Sequence, residues 1–256
     1  MSEDEIPERG AHHVQSLERG LAVIRALRPT GLTLTDVAKS TGLTRAAARR
    51  FLLTLVDLGY VRTDGKHFSL TARVLDLGYA YLAGLPLPDV ARPHLERLSA
   101  QVGESSSVSV LDGADVVYVA RCAVSRIMAV SITVGTRFPA YATSMGHVLL
   151  AGLPAAELDR YLASTRLEPL TAHTTTSPER LRARLVEVRE RGWALADQEL
   201  EEGLRSVAAP LRDRAGRVVG ALNISTHASR TTTDHARDGL VPPLLACAAA
   251  VEADLP

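Results

Sequence analysis

The chain has 256 residues, of which 46% are hydrophobic, and its 29 Lys and Arg balance its 29 Asp and Glu. This length accommodates one large or two modest domains with packed cores. No run of 18 apolar residues is present, and the acidic N-terminus has no hydrophobic segment typical of a signal peptide. The two cysteines, Cys122 and Cys247, lack metal-ligand spacing. We therefore expect a cytoplasmic protein with buried thiols, without a membrane span, a metal or a cofactor.

The first predicted element is a helix over residues 14–28, after a frayed acidic tail at residues 1–10. Its apolar side chains recur at helical spacing and form one stripe that closes a small three-helix core. The stripe consists of Leu17, Leu21, Ile24 and Leu27.

The segment from Thr33 to Arg50 predicts two short helices joined by a tight turn. Gly42 breaks the first apolar run, and Thr44 stands at the N-cap position of the second helix. The hydroxyl of Thr44 can accept a backbone N–H that the helix leaves free. This spacing is typical of a helix-turn-helix, whose partner is duplex DNA.

The second of these helices carries clustered arginines. Arg45 and Arg49 are four residues apart and share one face, with Arg50 beside them. Small residues such as Ala46 let this face approach the major groove closely. Three arginines on a helix are, however, more often only a solvated face, so the segments that follow decide between the two interpretations.

Residues 58–71 predict a basic hairpin directly after the helix. Asp64-Gly65 is a strong signal for a two-residue turn, and Arg62 and Lys66 lie on either side of it. A helix-turn-helix followed by a basic hairpin is the winged form. The charge distribution agrees, since Arg9 to Arg73 contain 11 Lys and Arg against 4 Asp and Glu, a net charge of +7, as expected of a domain that binds phosphates.

The remaining residues predict a second domain with helices and antiparallel strands, an α+β architecture in which helices cover a sheet. The predicted strands cover residues 105–111, 116–121, 127–134, 193–197, 205–212 and 218–226. The predicted helices cover residues 88–102, 143–150, 154–163, 178–191 and 233–253, the last interrupted at Pro242-Pro243.

At this point the chain resembles the IclR family of bacterial transcription regulators, and especially the branch that controls protocatechuate and β-ketoadipate catabolism. The resemblance is carried by VQSLERGLAVI, GLTRAAARRFLLTLVDLGYV, SVSVLDGADVVYVAR, ITVGTRFPAYATSMGHVLLA, DQELEEGLRSVAAPLRD and ALNIS. It implies a winged helix-turn-helix, a linker helix and a GAF-like effector-binding domain in a homodimer or a dimer of dimers. The corresponding segments are residues 1–10 (tail), 11–72 (DNA binding), 73–87 (linker) and 88–256 (effector binding).

On this basis we expect double-stranded operator DNA to contact the turn, the arginine helix and the wing. Arg45 and Arg49 are the expected base contacts, because arginine to guanine is the commonest specific pairing. Phosphates are expected to contact Thr44, Arg62 and Lys66. The complete set of expected DNA-binding residues is Thr33, Thr35, Thr44, Arg45, Ala46, Arg49, Arg50, Arg62 and Lys66.

The resemblance also implies a site for a small organic acid effector. Backbone N–H groups of Ser144, Met145 and Gly146, at a helix start, favour an anion. The positions that match the family's other pocket residues are Asp197, Ser206, Asn223 and Ser225. His147 stands where relatives often carry Arg or Lys, which would make a cationic contribution pH-dependent.

A cation from the strands can add a bidentate contact to a carboxylate. Arg121, Arg126 and Arg137 are candidates, of which Arg137, just before the Ser144 loop, is preferred. Tyr141 and Met128 either line the pocket or pack in the core.

The sequence therefore predicts a ligand-responsive DNA-binding regulator and not an enzyme. One alternative is a GAF-like hydrolase that uses Ser144, His147, His173 and Asp197, although no G-x-S-x-G, H-E-x-x-H or P-loop motif occurs. Another is a DNA-binding protein that senses no effector.

Overall fold

A computed structural model of the chain describes residues 13–28, 30–77, 87–124 and 132–255. The chain divides into two compact units, Met1–Ala83 and Gly84–Pro256. The elements of the first unit are α1 (Gln15–Ala26), β1 (Leu32–Thr33), α2 (Leu34–Thr41), α3 (Arg45–Asp57), β2 (Val61–Thr63) and β3 (His67–Leu70).

Local capping explains where α2 begins and ends and where α3 begins. The Thr33 side chain accepts the N–H of Asp36, whose carboxylate accepts the backbone N–H of Thr33 in return, a reciprocal capping box. Gly42 ends α2 in the left-handed region, with φ +67°. Thr44 caps α3 by accepting the N–H of Ala47. The predicted helix-turn-helix is confirmed.

The wing is a three-stranded antiparallel sheet in the order β1-β3-β2. Its turn is longer than the two residues predicted, because β2 ends at Thr63 and β3 begins at His67. Gly65 takes φ +93°, and the Asp64 carboxylate accepts the N–H groups of Lys66 and His67 at 2.8 and 2.6 Å. The third strand, β1, was not predicted.

The core of the first unit excludes part of the predicted stripe on α1. Val23 and Leu27 are buried, whereas Leu17 is 63% and Leu21 42% exposed. The prediction that Leu17 and Leu21 close the three-helix core was wrong. The residues that form this core are Val23, Leu27, Val37, Ala38, Ala48, Leu52, Leu55, Val61 and Phe68.

The second unit contains one six-stranded sheet. Its longer helices are α4 (Leu87–Val102), α5 (Ser144–Gly152), α6 (Ala155–Ser164), α7 (Pro178–Arg191) and α8 (Val241–Asp254). Its strands are β4 (Ser105–Asp112), β5 (Asp115–Cys122), β6 (Arg137–Pro139), β7 (Ala194–Asp197), β8 (Leu204–Arg212) and β9 (Val218–His227). The strands are antiparallel in the order β6-β5-β4-β9-β8-β7.

Helices cover both faces of this sheet. Helices α4 and α8 pack on one face, where Leu95, Leu222 and Leu244 belong to a single apolar cluster. Helix α5 packs on the other face, and Met145 and Val148 join a second cluster there. The predicted α+β class, a winged helix-turn-helix and an antiparallel sheet flanked by helices, is confirmed.

Several predicted elements differ in detail. The strand predicted over 127–134 lies mostly outside the described residues, and residues 132–134 form no strand. The predicted linker helix over 73–87 also falls largely outside them, after a 3₁₀ turn at Ala72–Leu75. The helix predicted over 233–253 is interrupted before Pro242-Pro243 and not at them, because a short helix at Thr233–His235 and a π-helical turn at Ala236–Leu240 precede α8. Both prolines lie in the first turn of α8, where a missing N–H costs no helical hydrogen bond.

No helix in the described part of the chain is long and apolar enough to cross a membrane. Within the same residues, no cluster of three His, Cys, Asp or Glu side chains is arranged to hold a metal ion.

Candidate DNA interface and effector pocket

The N-terminal half of α3 presents an unpaired cationic face. Ala48 and Leu52 are completely buried and anchor the helix, while Arg45, Arg49 and Arg50 are exposed. Among the residues that the structure describes, no carboxylate forms an ion pair with these three arginines. Their guanidinium groups are therefore available to an external anion.

The wing adds two exposed cations, Arg62 and Lys66. The Nε of Arg62 donates to Ser69 Oγ at 3.2 Å across the β2–β3 pair, which restrains its side chain above the sheet. Two backbone hydrogen bonds and the His67 ring lower the pKa of Asp64 to about 2, so this turn carboxylate is ionised at neutral pH.

The threonines of the predicted interface have different functions. The hydroxyls of Thr33 and Thr44 are the capping groups of α2 and α3, so their first contribution is to position the helices. Thr35 and Ala46 are exposed in the first turns of α2 and α3. Both lie beside helix N-termini, where a phosphate is stabilised by the helix dipole.

In the second unit, the N-terminus of α5 leaves backbone donors free. Thr143 caps the helix, and its hydroxyl accepts the N–H of Gly146 at 3.0 Å. The N–H groups of Ser144 and Met145 have no acceptor among the described residues. Gly146 is required by packing, because a Cβ at this position would lie 1.9 Å from the carbonyl oxygen of Ala140. Of the three N–H groups predicted to bind an anion, two are therefore free.

The sheet face under α5 carries a polar patch, made of Ser105, Ser107, Ser109, Arg121, Ser206, Asn223 and Ser225. Its position follows from the alternation of strand side chains. Ser106 faces α4, since its hydroxyl lies 3.1 Å from the Leu95 carbonyl, so Ser105 and Ser107 face α5. Leu222 and Ile224 pack in the cluster under α4 and α8, so Asn223 points to the α5 side.

Hydrogen bonds connect the polar patch to α5. The Ser144 hydroxyl lies 2.8 Å from that of Ser206, and Asn223 Nδ2 donates to Ser225 Oγ at 3.0 Å. All four side chains are at least 93% buried. The structure thus brings together the predicted residues Ser144, Met145, Gly146, Ser206, Asn223 and Ser225.

Asp197 lies on the opposite face of the sheet, so its predicted place in the pocket is not supported. It pairs in register with Arg205, and the two side chains form an ion pair at 2.8 Å. Arg205 also donates to the carbonyl oxygens of Thr231 and Ala228. The β7 residue that faces the polar patch is Ala196, which pairs with Ser206.

Arg137, the preferred cation, is also placed away from the polar patch. It lies on the edge strand β6, and its guanidinium contacts the carboxylates of Asp112 and Asp115 at 2.6 and 3.1 Å. These hydrogen bonds raise the pKa of Arg137. Its charge is already neutralised at the end of the β4–β5 hairpin, so we do not include it in the pocket.

His147 is a neutral core residue and not a cation facing the ligand. It is completely buried, and its Nε2 donates to the Tyr141 carbonyl at 2.7 Å. Burial lowers the pKa of His147 to about 4. Ser144 and His147 therefore form no nucleophile–base pair of the kind that a hydrolase needs. Tyr141 packs in the core with its hydroxyl on the Glu168 carbonyl, and Arg126 and Met128 lie outside the described residues.

Three serines of β4 that face the candidate site were not predicted as site residues. Ser105, Ser107 and Ser109 are completely buried and share one face. The available signal was their spacing of two along the strand, with Val108 and Val110 in alternate positions, which predicts a polar stripe on one side.

An arginine-faced winged helix-turn-helix and a separate sheet domain with a buried polar patch define the class of ligand-responsive DNA-binding regulators. Two family descriptions match the chain: "IclR helix-turn-helix domain" over residues 16–65 and "Bacterial transcriptional regulator IclR C-terminal" over residues 79–253. The chain belongs to the IclR family of bacterial transcription regulators, a family of DNA-binding proteins and not of enzymes.

Individual relatives agree with this assignment. The Pca regulon regulatory protein of Pseudomonas putida is 46% identical over 90% of this chain and 80% of its own length. A transcriptional regulator from Rhodococcus sp. RHA1 has a crystal structure with a TM-score of 0.82, 58% identity, and coverage of 95% of this chain and 98% of its own. The crystal structure of an IclR homologue from Microbacterium hydrocarbonoxydans, complexed with 4-hydroxybenzoate, has a TM-score of 0.80 at 26% identity. The match covers 94% of this chain and 98% of the homologue.

Proposed function

We propose that this protein regulates genes of protocatechuate and β-ketoadipate catabolism, and that a small aromatic or dicarboxylic acid of that pathway controls its operator binding or its activation of transcription. Three findings support the proposal: membership of the IclR family, the identity with a Pca regulon regulator, and the neighbour complexed with 4-hydroxybenzoate.

On the DNA side, the proposal assigns residues 11–72 to operator binding. Arg45 and Arg49 contact bases in the major groove, and Arg50, Arg62 and Lys66 contact phosphates. Thr33, Thr35, Thr44 and Ala46 complete the interface at the N-termini of α2 and α3. A homodimer presents two such surfaces to an inverted repeat, and residues 73–87 link them to the effector domain at 88–256.

On the effector side, one observation carries the proposal: two free N–H groups at the start of α5 lie over buried serines and an asparagine. Ser144 contacts Ser206 directly, so the helix N-terminus and the polar patch form one site. Its donors and the helix dipole favour an anion. Asn223 both donates and accepts hydrogen bonds and thus suits an acid with hydroxyl or keto groups. An acid acts by binding more tightly to one of two arrangements of the protein.

The proposal is tested by footprinting the region upstream of the protein's own gene with the full chain. We expect a protected inverted repeat whose occupancy or boundaries change with protocatechuate, 4-hydroxybenzoate or β-ketoadipate. Thermal unfolding with the same acids provides the matching binding measurement, because a ligand of the native state raises the midpoint. A protected operator without any response to these acids, together with unchanged midpoints, would contradict the effector assignment.

A further inference from the structure

Arg121 is a cation of the polar patch that has no counter-ion among the described residues. It lies on β5, opposite Ser107 on β4, and its Nη1 donates to the Ser107 hydroxyl at 3.0 Å. The guanidinium is half-buried, and burial lowers the pKa of Arg121. No carboxylate of the described chain forms an ion pair with it. A cation that is partly removed from water without a partner is costly, so such a group indicates that a ligand supplies the missing charge.

The unused edge of this guanidinium has the geometry of a carboxylate receptor. The Nε and Nη2 of an arginine form one edge of the planar fork and can bind both oxygens of a carboxylate. In Arg121 the bond to Ser107 uses Nη1, on the other edge. Its Nε is buried and has no acceptor, so the free edge still has its donors.

Neighbouring strands carry further buried polar atoms without partners. Ser109 Oγ and Asn223 Oδ1 are both buried and unpaired, and both belong to the polar patch. Asn223 lies in the same row of the sheet as Arg121, since Ser107 pairs with both. Three unpaired polar atoms on adjacent strands of one sheet face indicate one polar ligand, because buried polar groups are almost always satisfied.

Two other buried or half-buried arginines of this unit, Arg184 and Arg205, contrast with Arg121. Arg184 donates to both oxygens of Glu199 at 2.7 Å, and Arg205 pairs with Asp197. Each of these two cations is neutralised within the chain. In addition, the β7 position that faces the polar patch is occupied by Ala196 and not by Asp197, so β7 brings no carboxylate to the polar patch.

We propose that Arg121 is the residue that binds the carboxylate of the effector, through the Nε–Nη2 edge of its guanidinium. This assignment rests on the proposed function and adds to it the residue that selects an acid over a neutral analogue. Ser107 acts as a positioning residue, because its hydroxyl holds Nη1 and leaves the other edge free. The Ser144–Ser206 end of the pocket then receives the remaining polar groups of the acid.

The test compares acids with their neutral amides. Binding of 4-hydroxybenzoate, protocatechuate and β-ketoadipate to the full-length protein is measured by calorimetry, beside 4-hydroxybenzamide and 3,4-dihydroxybenzamide. The variants are Arg121→Gln, Arg121→Lys and the control Arg137→Gln, which removes an equal charge from an arginine already neutralised by Asp112 and Asp115.

We expect Arg121→Gln to weaken binding of the acid by about 30-fold or more, as for loss of one partner of a desolvated charge pair. Binding of the amide should weaken by less than about 3-fold. Arg121→Lys keeps the charge but loses the planar guanidinium fork. Its affinity for the acid is expected to lie between those of Arg121→Gln and the wild type. Arg137→Gln is expected to bind like the wild type. The acid-to-amide ratio is the decisive readout, since a purely structural change would weaken both ligands equally.

Equal loss of acid and amide in Arg121→Gln, or no loss of either, would overturn the assignment of Arg121 while leaving the proposed function intact. If Arg121→Gln does not fold, the acid-to-amide ratio of Arg121→Lys decides in the same way. If the folded wild type binds none of the three acids, the proposed function fails and the assignment of Arg121 fails with it.

Discussion

At the residue scale, the proposed function makes DNA recognition depend on single residues of α3. Arg49 is exposed and has no ion-pair partner among the described residues, while neighbouring Ala48 is buried. We predict that Arg49→Ala weakens operator binding by about 10-fold or more, because one bidentate contact to a base contributes roughly 1–3 kcal/mol. Its unfolding midpoint should stay within about 2 °C of the wild type, since surface substitutions change stability little.

Arg25→Ala is a matched control for this variant. Arg25 is exposed on α1, so the substitution removes the same charge from the same unit without touching α3. Fluorescence anisotropy with operator DNA, repeated at several salt concentrations, separates a specific contact from a general loss of charge. Equal affinities of the Arg49→Ala and wild-type proteins would refute the assignment of α3.

His147 makes stability depend on pH in a direction that its burial fixes. Its pKa is about 4 in the folded state, below the value of about 6.5 expected in the unfolded chain. The unfolded state therefore binds the proton first as the pH falls. We predict that the free energy of unfolding decreases between pH 6.5 and 4, with His147 contributing up to about 3 kcal/mol of this loss.

Urea unfolding at several pH values measures this effect in the wild type and in His147→Gln. Glutamine keeps an N–H donor for the Tyr141 carbonyl but does not titrate. Each protein is compared with its own value at pH 7, so a uniform loss of stability in the variant cancels. Parallel pH profiles of the two proteins would show that another group causes the decrease.

Residue types could be predicted from the sequence, but their partners could not. The arginines of α3 stand on a helix whose caps and spacing are local, so their shared face was predictable. Arg137 was preferred over Arg121 because it precedes the Ser144 loop in the chain. Its actual partners, Asp112 and Asp115, are 22 or more positions away, and no local pattern indicates such pairing.

At the scale of elements, strand alternation decides which polar residues share a site. In β7, Ala196 faces the polar patch and Asp197 faces away, because successive side chains point to opposite sides of a sheet. Motif position alone put Asp197 in the pocket, but the structure places it on the opposite face, because in a strand a shift of one residue changes the face. Helix ends were predicted better than strand faces because a cap depends on only a few adjacent residues.

The two faces of the sheet predict opposite results for two substitutions. Ser225→Ala removes a hydroxyl that accepts from Asn223 and should weaken acid binding by roughly 2–10-fold, as for one hydrogen bond. Asp197→Asn should leave acid affinity within about 2-fold. It should lower the free energy of unfolding by about 1–2 kcal/mol, because buried Arg205 loses a charged partner that is itself about one third exposed.

Calorimetry with the acid and thermal unfolding of both variants distinguish these outcomes. An Asp197→Asn protein with full stability but weaker acid binding would contradict the face assignment of β7. It would also return Asp197 to the pocket.

Short edge elements show where sequence prediction ends at this scale. The strand β1 contains only Leu32 and Thr33 and exists because these residues pair with Phe68 and His67. Likewise, β6 is held by pairing with β5. Two or three residues have no periodicity of their own, so only the partner strand determines that they are extended.

The molecule as a whole combines a cationic unit with a separate unit that we propose binds an acid. The net charge of +7 over Arg9 to Arg73 is balanced in the rest of the chain, which suits one unit to phosphates. If the acid regulates operator binding, each ligand must bind with different affinity to two states of the whole protein. Neither unit can show this alone, so the full chain is required.

Thermodynamic linkage means that the regulation can be measured both as the effect of the acid on operator binding and as the effect of the operator on acid binding. If a saturating acid changes the operator dissociation constant by some factor, saturating operator must change the acid dissociation constant by the same factor. We predict a factor of about 5–150, corresponding to a coupling of roughly 1–3 kcal/mol. Anisotropy with labelled operator measures the first change, and calorimetry with and without operator measures the second. Arg49→Ala, which should bind the acid normally, must show the same factor wherever its operator affinity is still measurable. A factor of one from both directions, with both ligands bound, would mean that the acid does not control DNA affinity and acts, if at all, on a later step of transcription.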